Sequence, residues 1–160
     1  MDAVTECRRR LLELTPLRSD CGLCCGFACC RSHEGEETGM LLFPGEERLY
    51  AGLPGWRVLD AGGDRLIVCG GDCDRGERPL SCRIFPLLPL LREDGIHVVT
   101  DARALGTCPL RRDGLSAEFV AAVKACGELL AAEPEQAAFL KRLTDIHDGL
   151  KALRRQFTGR

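Results

Sequence analysis

Cys21-Gly22-Leu23-Cys24-Cys25-Gly26-Phe27-Ala28-Cys29-Cys30 places five thiols in ten residues, two pairs of them adjacent. A buried thiol packs as a small hydrophobe, but packing alone does not ask for such density. The chemistry that does is metal ligation, an iron–sulfur cluster, disulfide formation or thiol redox exchange. Which of these applies, and what scaffold carries it, depends on the rest of the chain.

The chain has 160 residues, enough for one domain with a real core. Its 45% hydrophobic and 29% charged composition is that of an ordinary folded protein. A formal charge of −2 provides no general attraction to nucleic acid or to an anionic membrane. One Trp and one Tyr cannot make a base-stacking platform. No apolar run reaches membrane-spanning length, and Arg8, Arg9 and Arg10 interrupt the N-terminal stretch where a signal peptide would need an apolar region. The expected location is cytoplasmic, where thiols stay reduced. Eleven cysteines in that compartment favour metal over disulfides.

Working outward, residues 1–14 read as a helix with Val4, Cys7, Leu11 and Leu14 on one face, which makes Cys7 a core thiol. Residues 31–39 are polar and aperiodic, a loop in which His33 reads as solvated, although near enough to Cys29 and Cys30 to ligate. Met40–Phe43 suits a short strand, and Pro44-Gly45-Glu46-Glu47 a turn into one or two helical turns. Trp56–Leu59 and Arg65–Cys69 form a hairpin through Asp60–Asp64, and the second strand ends on Cys69. Gly70–Cys73 is a tight loop bearing another thiol. Leu87–Leu91 and Ile96–Thr100 form a second hairpin around Asp94-Gly95, with His97 a packed or surface residue. Ser116 N-caps a helix with Phe119, Val120, Val123, Cys126 and Leu130 on its apolar face, so Cys126 is also core. Pro134 opens a second helix with a heptad-like stripe of Phe139, Leu143, Ile146, Leu150, Leu153 and Phe157, beside a structural His147. These two helices are expected to cover the β-rich centre as a hairpin. Arg154, Arg155 and Arg160 give a solvated basic end.

Setting aside Cys7 and Cys126 leaves Cys21, Cys24, Cys25, Cys29, Cys30, Cys69, Cys73, Cys82 and Cys108, all expected in loops or at strand ends beside Gly or Pro. Tight turns of this kind let the backbone wrap an ion. Tetrahedral zinc and a cubane cluster each take four cysteines, so nine thiols allow one site with spares or two sites. An all-thiolate set selects zinc, iron–sulfur or Cu(I). Proline after the last cysteine, as in Cys108-Pro109, also occurs in ferredoxin ligand runs and favours iron–sulfur. Arg78 and Arg83 flank Cys82 and are expected to offset the charge of the thiolates.

Cys21-Gly22-Leu23-Cys24-Cys25, the pair Cys69 and Cys73, Arg78-Pro79 followed by Cys82-Arg83-Ile84-Phe85-Pro86, and Cys108-Pro109 resemble the YkgJ-type cysteine-cluster family, described as a zinc- or iron-chelating domain. The similarity spans roughly residues 18–110. Many relatives carry a further cysteine where this chain has Arg18, and Cys29-Cys30 is the replacement this chain offers. The resemblance implies metal binding. Through larger relatives implicated in flagellin lysine methylation, it also implies a methylase-like enzyme or enzyme accessory as an alternative.

Motifs for such an enzyme are missing. The radical-SAM spacing would need a third cysteine at Ser32 or Gly76, and no zinc-hydrolase or deaminase pattern occurs. A thiol–disulfide redox protein is a further alternative, since Cys21 and Cys24 have the C-x-x-C spacing, but Thr15–Asp20 is a poor strand to precede a thioredoxin-like site. The predicted fold is α+β in one domain over 1–160. A small metal-centred β-hairpin core (18–110) follows an N-terminal helix and precedes a C-terminal helical hairpin (116–158). The expected function is binding an iron–sulfur cluster or zinc, with no nucleic-acid or membrane partner.

Overall fold

The computed structural model describes residues 1–19, 21–30, 39–71, 73–110 and 114–158. His33, the acidic residues around it and Arg160 lie outside the described residues. The fold is α+β, with five helices, several 3-10 turns and two small antiparallel sheets among the described residues.

Helix α1 (Ala3–Arg10) starts where the Asp2 carboxylate accepts the Thr5 N–H at 2.8 Å, satisfying one of the free donors of a helix start. Its Val4 and Cys7, with Leu11 just beyond, are buried as their spacing requires. The hairpin of β4 (Leu87–Arg92) and β5 (Gly95–Thr100) pairs Leu87 with Thr100 and Arg92 with Gly95. Pro89 lacks a ladder donor and is tolerated because this sheet has only two strands, both of them edges. Helices α4 (Ala117–Ala131) and α5 (Pro134–Thr158) both pack on this hairpin. Gly127 permits the closest approach, since a Cβ there would stand 2.7 Å from Pro89 and 2.8 Å from Ile96. The main core lies here. Phe119, Phe139, Leu130, Leu140 and Leu87 are fully buried in it, and Phe43 meets Phe139 edge-on at 5.0 Å. Cys7 and Cys126 are both completely buried, each thiol directed at the other's carbonyl.

The second sheet holds β1 (Met40–Leu41), β3 (Asp64–Cys69) and β2 (Trp56–Ala61) in that spatial order, with Trp56 opposite Cys69 and Ala61 opposite Asp64. Its own apolar cluster is small: Leu42, Tyr50 and Ile67. Arg142 of α5 reaches Asp64 at 2.6 Å, but the body of the helical pair lies on the other hairpin. The helical hairpin expected to cover the β-rich centre therefore covers chiefly its β4–β5 part. Six-residue strands extend about 20 Å, whereas α5 at 25 residues runs about 37 Å. Its last buried residue is His147, and Ile146, Leu150, Leu153 and Phe157 are exposed.

Candidate functional site

The nine candidate cysteines are not all in loops. Cys21, Cys24 and Cys25 lie on a short helix α2 (Cys21–Cys25), and Cys29 and Cys30 end a 3-10 turn (Ala28–Cys30). Gly22 makes this compact, because the Phe27 ring sits where its Cβ would be, at 2.4 Å. Gly26 and Phe27 both take positive φ, 60° and 58°, which stops α2 and turns the chain so that the Cys30 N–H reaches the Phe27 carbonyl at 2.8 Å. Cys69 closes β3 as expected. Cys82 lies in the middle of a third short helix, α3 (Leu80–Ile84), and Cys108 follows a 3-10 turn (Ala102–Gly106).

These segments meet around one cavity of about 260 Å³. Eight of the nine thiols line it: Cys21, Cys25, Cys29, Cys30, Cys69, Cys73, Cys82 and Cys108. Cys24 does not; it is exposed, with its sulfur 3.9 Å from the Ser19 hydroxyl. The two halves of the cluster touch at Gly71, whose positive φ of 88° and lack of a side chain leave the Cys30 carbonyl only 3.2 Å from the position of a Cβ. Cys29 and Cys30 hold their sulfurs 3.9 Å apart.

Electrostatics gives the same grouping. Burial pushes the Cys82 thiol well above the usual thiol range, and Cys30, Cys73 and Cys69 push it further by repulsion. Contact with Cys30 raises Cys29, followed by burial and the neighbouring Cys82 and Cys21. Burial raises Cys73, opposed by a hydrogen bond from Arg78. Burial also raises Cys108, whose thiol neighbour is Cys25. Thiols that raise one another in this way are protonated when free, and a cation that replaces the protons relieves the repulsion.

Four arginines, Arg75, Arg78, Arg83 and Arg103, line the same cavity, and no Asp or Glu among the described residues does. Arg103 is matched by the buried Asp101 carboxylate at 2.5 Å. Arg78 acts on Cys73, as anticipated for a charge-offsetting residue. Arg83 lines the cavity too, but its guanidinium donates to the carbonyls of Arg78, Gly76 and Arg8 at 2.8, 2.7 and 3.2 Å, tying α3 to the Cys73–Arg78 loop and to α1. Arg75 donates to the Leu12 carbonyl and has a buried Nη2 with no hydrogen-bond partner among the described residues. Arg75 and Arg103 were not anticipated. The signal for Arg75 was its place two residues after Cys73.

Glu46 is another residue not anticipated. Buried at the 3-10 turn Glu46–Tyr50, its Oε1 accepts Arg8 Nη1 at 2.6 Å and the Leu80 N–H at 2.7 Å. Pro79 offers α3 no side-chain cap, so this distant carboxylate serves the free N–H at the start of the helix carrying Cys82. Burial outweighs these partners and pushes the Glu46 carboxyl above its ordinary range.

No family model, curated protein or solved structure matches this chain. Its chemistry must be read from the donors. They are soft thiols with guanidinium counter-charge, which suits zinc or an iron–sulfur cluster rather than a hard cation. Among the described residues, however, no three Cys, His, Asp or Glu side chains converge closely enough to hold an ion. The segment before α2 (11–19) contains no strand, as a thioredoxin-like site would require, and Cys21 and Cys24 differ in that only Cys21 reaches the cavity. No helix among the described residues is long and apolar enough to cross a membrane.

Proposed function

We propose that this chain is a metal-binding protein that holds an iron–sulfur cluster or zinc through thiolates lining the cavity, as its resemblance to the YkgJ-type family implies. The observation that carries this reading is convergence. Four separate stretches, ending in Cys30, Cys73, Cys82 and Cys108, bring eight thiols to one cavity with arginines on its wall. Apolar packing gives no reason to collect thiols and guanidiniums together. A thiolate site with a net negative charge does.

When bound, zinc would supply a structural cross-link and an iron–sulfur cluster an electron-transfer centre. The chain's own residues prepare the site. Glu46 fixes the start of α3 and so the position of Cys82, Arg78 stabilises the Cys73 thiolate, and Arg83 locks the connecting loop. Loading must draw the thiols closer, which couples binding to local folding of the Cys21–Cys30 segment. That segment is suited to move, since Gly22 is its only buried residue.

Metal analysis of two variants tests the reading. Cys82→Ser should lose most of its bound metal, whereas Cys24→Ser should keep it, with far-ultraviolet dichroism of both matching the parent. Equal metal content in parent and both variants, or none in any, would reject the reading.

A further inference from the structure

The metal reading leaves the end of α5 unexplained. From Gly149 to Thr158 all ten residues are helical and exposed, so this part of the helix stands clear of the body. It is held as the continuation of the packed half of α5, which has already borne the cost of nucleation. The apolar seam continues into it without a break. Gln136, Phe139 and Leu143 lie against the body, and the same alternation of three and four residues continues through Ile146, Leu150, Leu153 and Phe157. These last four are 43%, 39%, 51% and 83% exposed. The large apolar residues here, Leu150, Leu153 and Phe157, all fall on the two seam positions of each heptad, as in a coiled coil; a membrane-surface helix would carry a broader apolar face.

We infer that this seam pairs with the same seam of a second copy of the chain, antiparallel, about a twofold axis between Leu150 and Leu153. The seam is self-complementary in that arrangement. Leu150 meets Leu153 of the second copy, Ile146 meets Phe157, and each layer occurs twice, as an isologous contact requires. Phe157 then covers Ile146 at the edge of the other body. Gly149, with open space around it, lets the helices approach.

Charge sets the direction. Asp145 and Asp148 stand at one end of the exposed stretch and Lys151, Arg154 and Arg155 at the other. Parallel pairing would bring the two basic ends together, whereas antiparallel pairing sets each basic end near the acidic end of the other helix and opposes the helix dipoles. Asp148 already holds Arg92 at 2.6 Å and Asp145 holds Lys141 at 2.5 Å; both carboxylates remain substantially exposed. The seam is small beside the roughly 1,200 Å² of a tight standard interface, so the dimer should be reversible and concentration-dependent.

Sedimentation analysis of the full chain at increasing concentration should show a mass approaching twice 17.5 kDa. The double substitution L150E/L153E should remain monomeric throughout, with metal content unchanged and with the parent's thermal unfolding at concentrations low enough for the parent to be monomeric, because neither residue enters the core or the cavity. Photocrosslinking with p-benzoylphenylalanine in place of Phe157 should give a dimer band whose crosslinked peptide contains Ile146. A parent that is monomeric at high micromolar concentration, a dimer that survives L150E/L153E, or a crosslink to the Phe157 end of the other copy would each overturn the inference. So would binding to anionic phospholipid vesicles without self-association. None of these results depends on whether metal is bound.

Discussion

The two halves of this molecule are held in different ways. Around β4 and β5, long helices bury Phe119, Phe139, Leu130 and Leu140 completely, and the elements are regular. Around the cysteines the elements are short: one-turn helices, 3-10 turns and a two-residue strand; among the described residues the second sheet has a small cluster of Leu42, Tyr50 and Ile67, and α3 sends Leu80 and Ile84 into the main core. An apolar core stabilises the first half without help. In the proposed reading, an ion held by the thiols would add a cross-link to this second half.

Cutting the core should have the largest effect, and it should be indifferent to metal. Phe139→Ala removes a fully buried ring that packs on Phe43 and should cost about 3–5 kcal/mol in denaturant unfolding, with or without metal. A loss that appears only in metal-loaded protein would erase the distinction between the halves.

Glu46→Gln sharpens the boundary. It removes the charge that compensates Arg8 in a pair with side-chain exposures of 14% and 0%, and it weakens the cap on α3. Breaking such a pair should cost about 3 kcal/mol and lower metal affinity through Cys82. Unchanged affinity in a destabilised protein would show that Glu46 supports the fold but does not position the ligand.

The smallest effect is in pH. Burial lowers the pKa of His147 from its ordinary 6.5, and its neutral ring accepts the Ala102 N–H at 3.2 Å. The unfolded chain therefore takes up this proton first. The contribution is complete above pH 6.5 and is lost as pH falls toward the lowered native value. Unfolding curves between pH 7 and 5 should show that slope, and His147→Gln should flatten it. An equal slope in both proteins would place the titrating group elsewhere.

The same contrast explains how much could be read beforehand. In the core half, periodicity and punctuation were enough. The Pro134 helix start, the Asp94-Gly95 hairpin and the burial of Cys7 and Cys126 all appear as expected, because each depends on local spacing. In the cysteine half, the turns of α2 depend on Phe27 filling the space left by Gly22, and Cys30 meets the Cys73 loop through the bare backbone of Gly71. Neither contact has a periodic signature. The role of Glu46 depends on a hydrogen bond spanning 34 residues to Leu80, which no local pattern encodes. The end of α5 misled for the opposite reason. Its stripe is fully periodic, and periodicity states that a face is apolar without naming what covers it.

Whether the cysteine half exists to hold a metal is tested most directly by purifying the chain anaerobically and measuring bound zinc, iron and sulfide with the visible absorption spectrum. The account predicts metal at near-integer stoichiometry: either brown protein with sulfur-to-iron charge-transfer absorption, or colourless protein containing zinc. Metal-free protein in which all eleven thiols react freely on unfolding would contradict it.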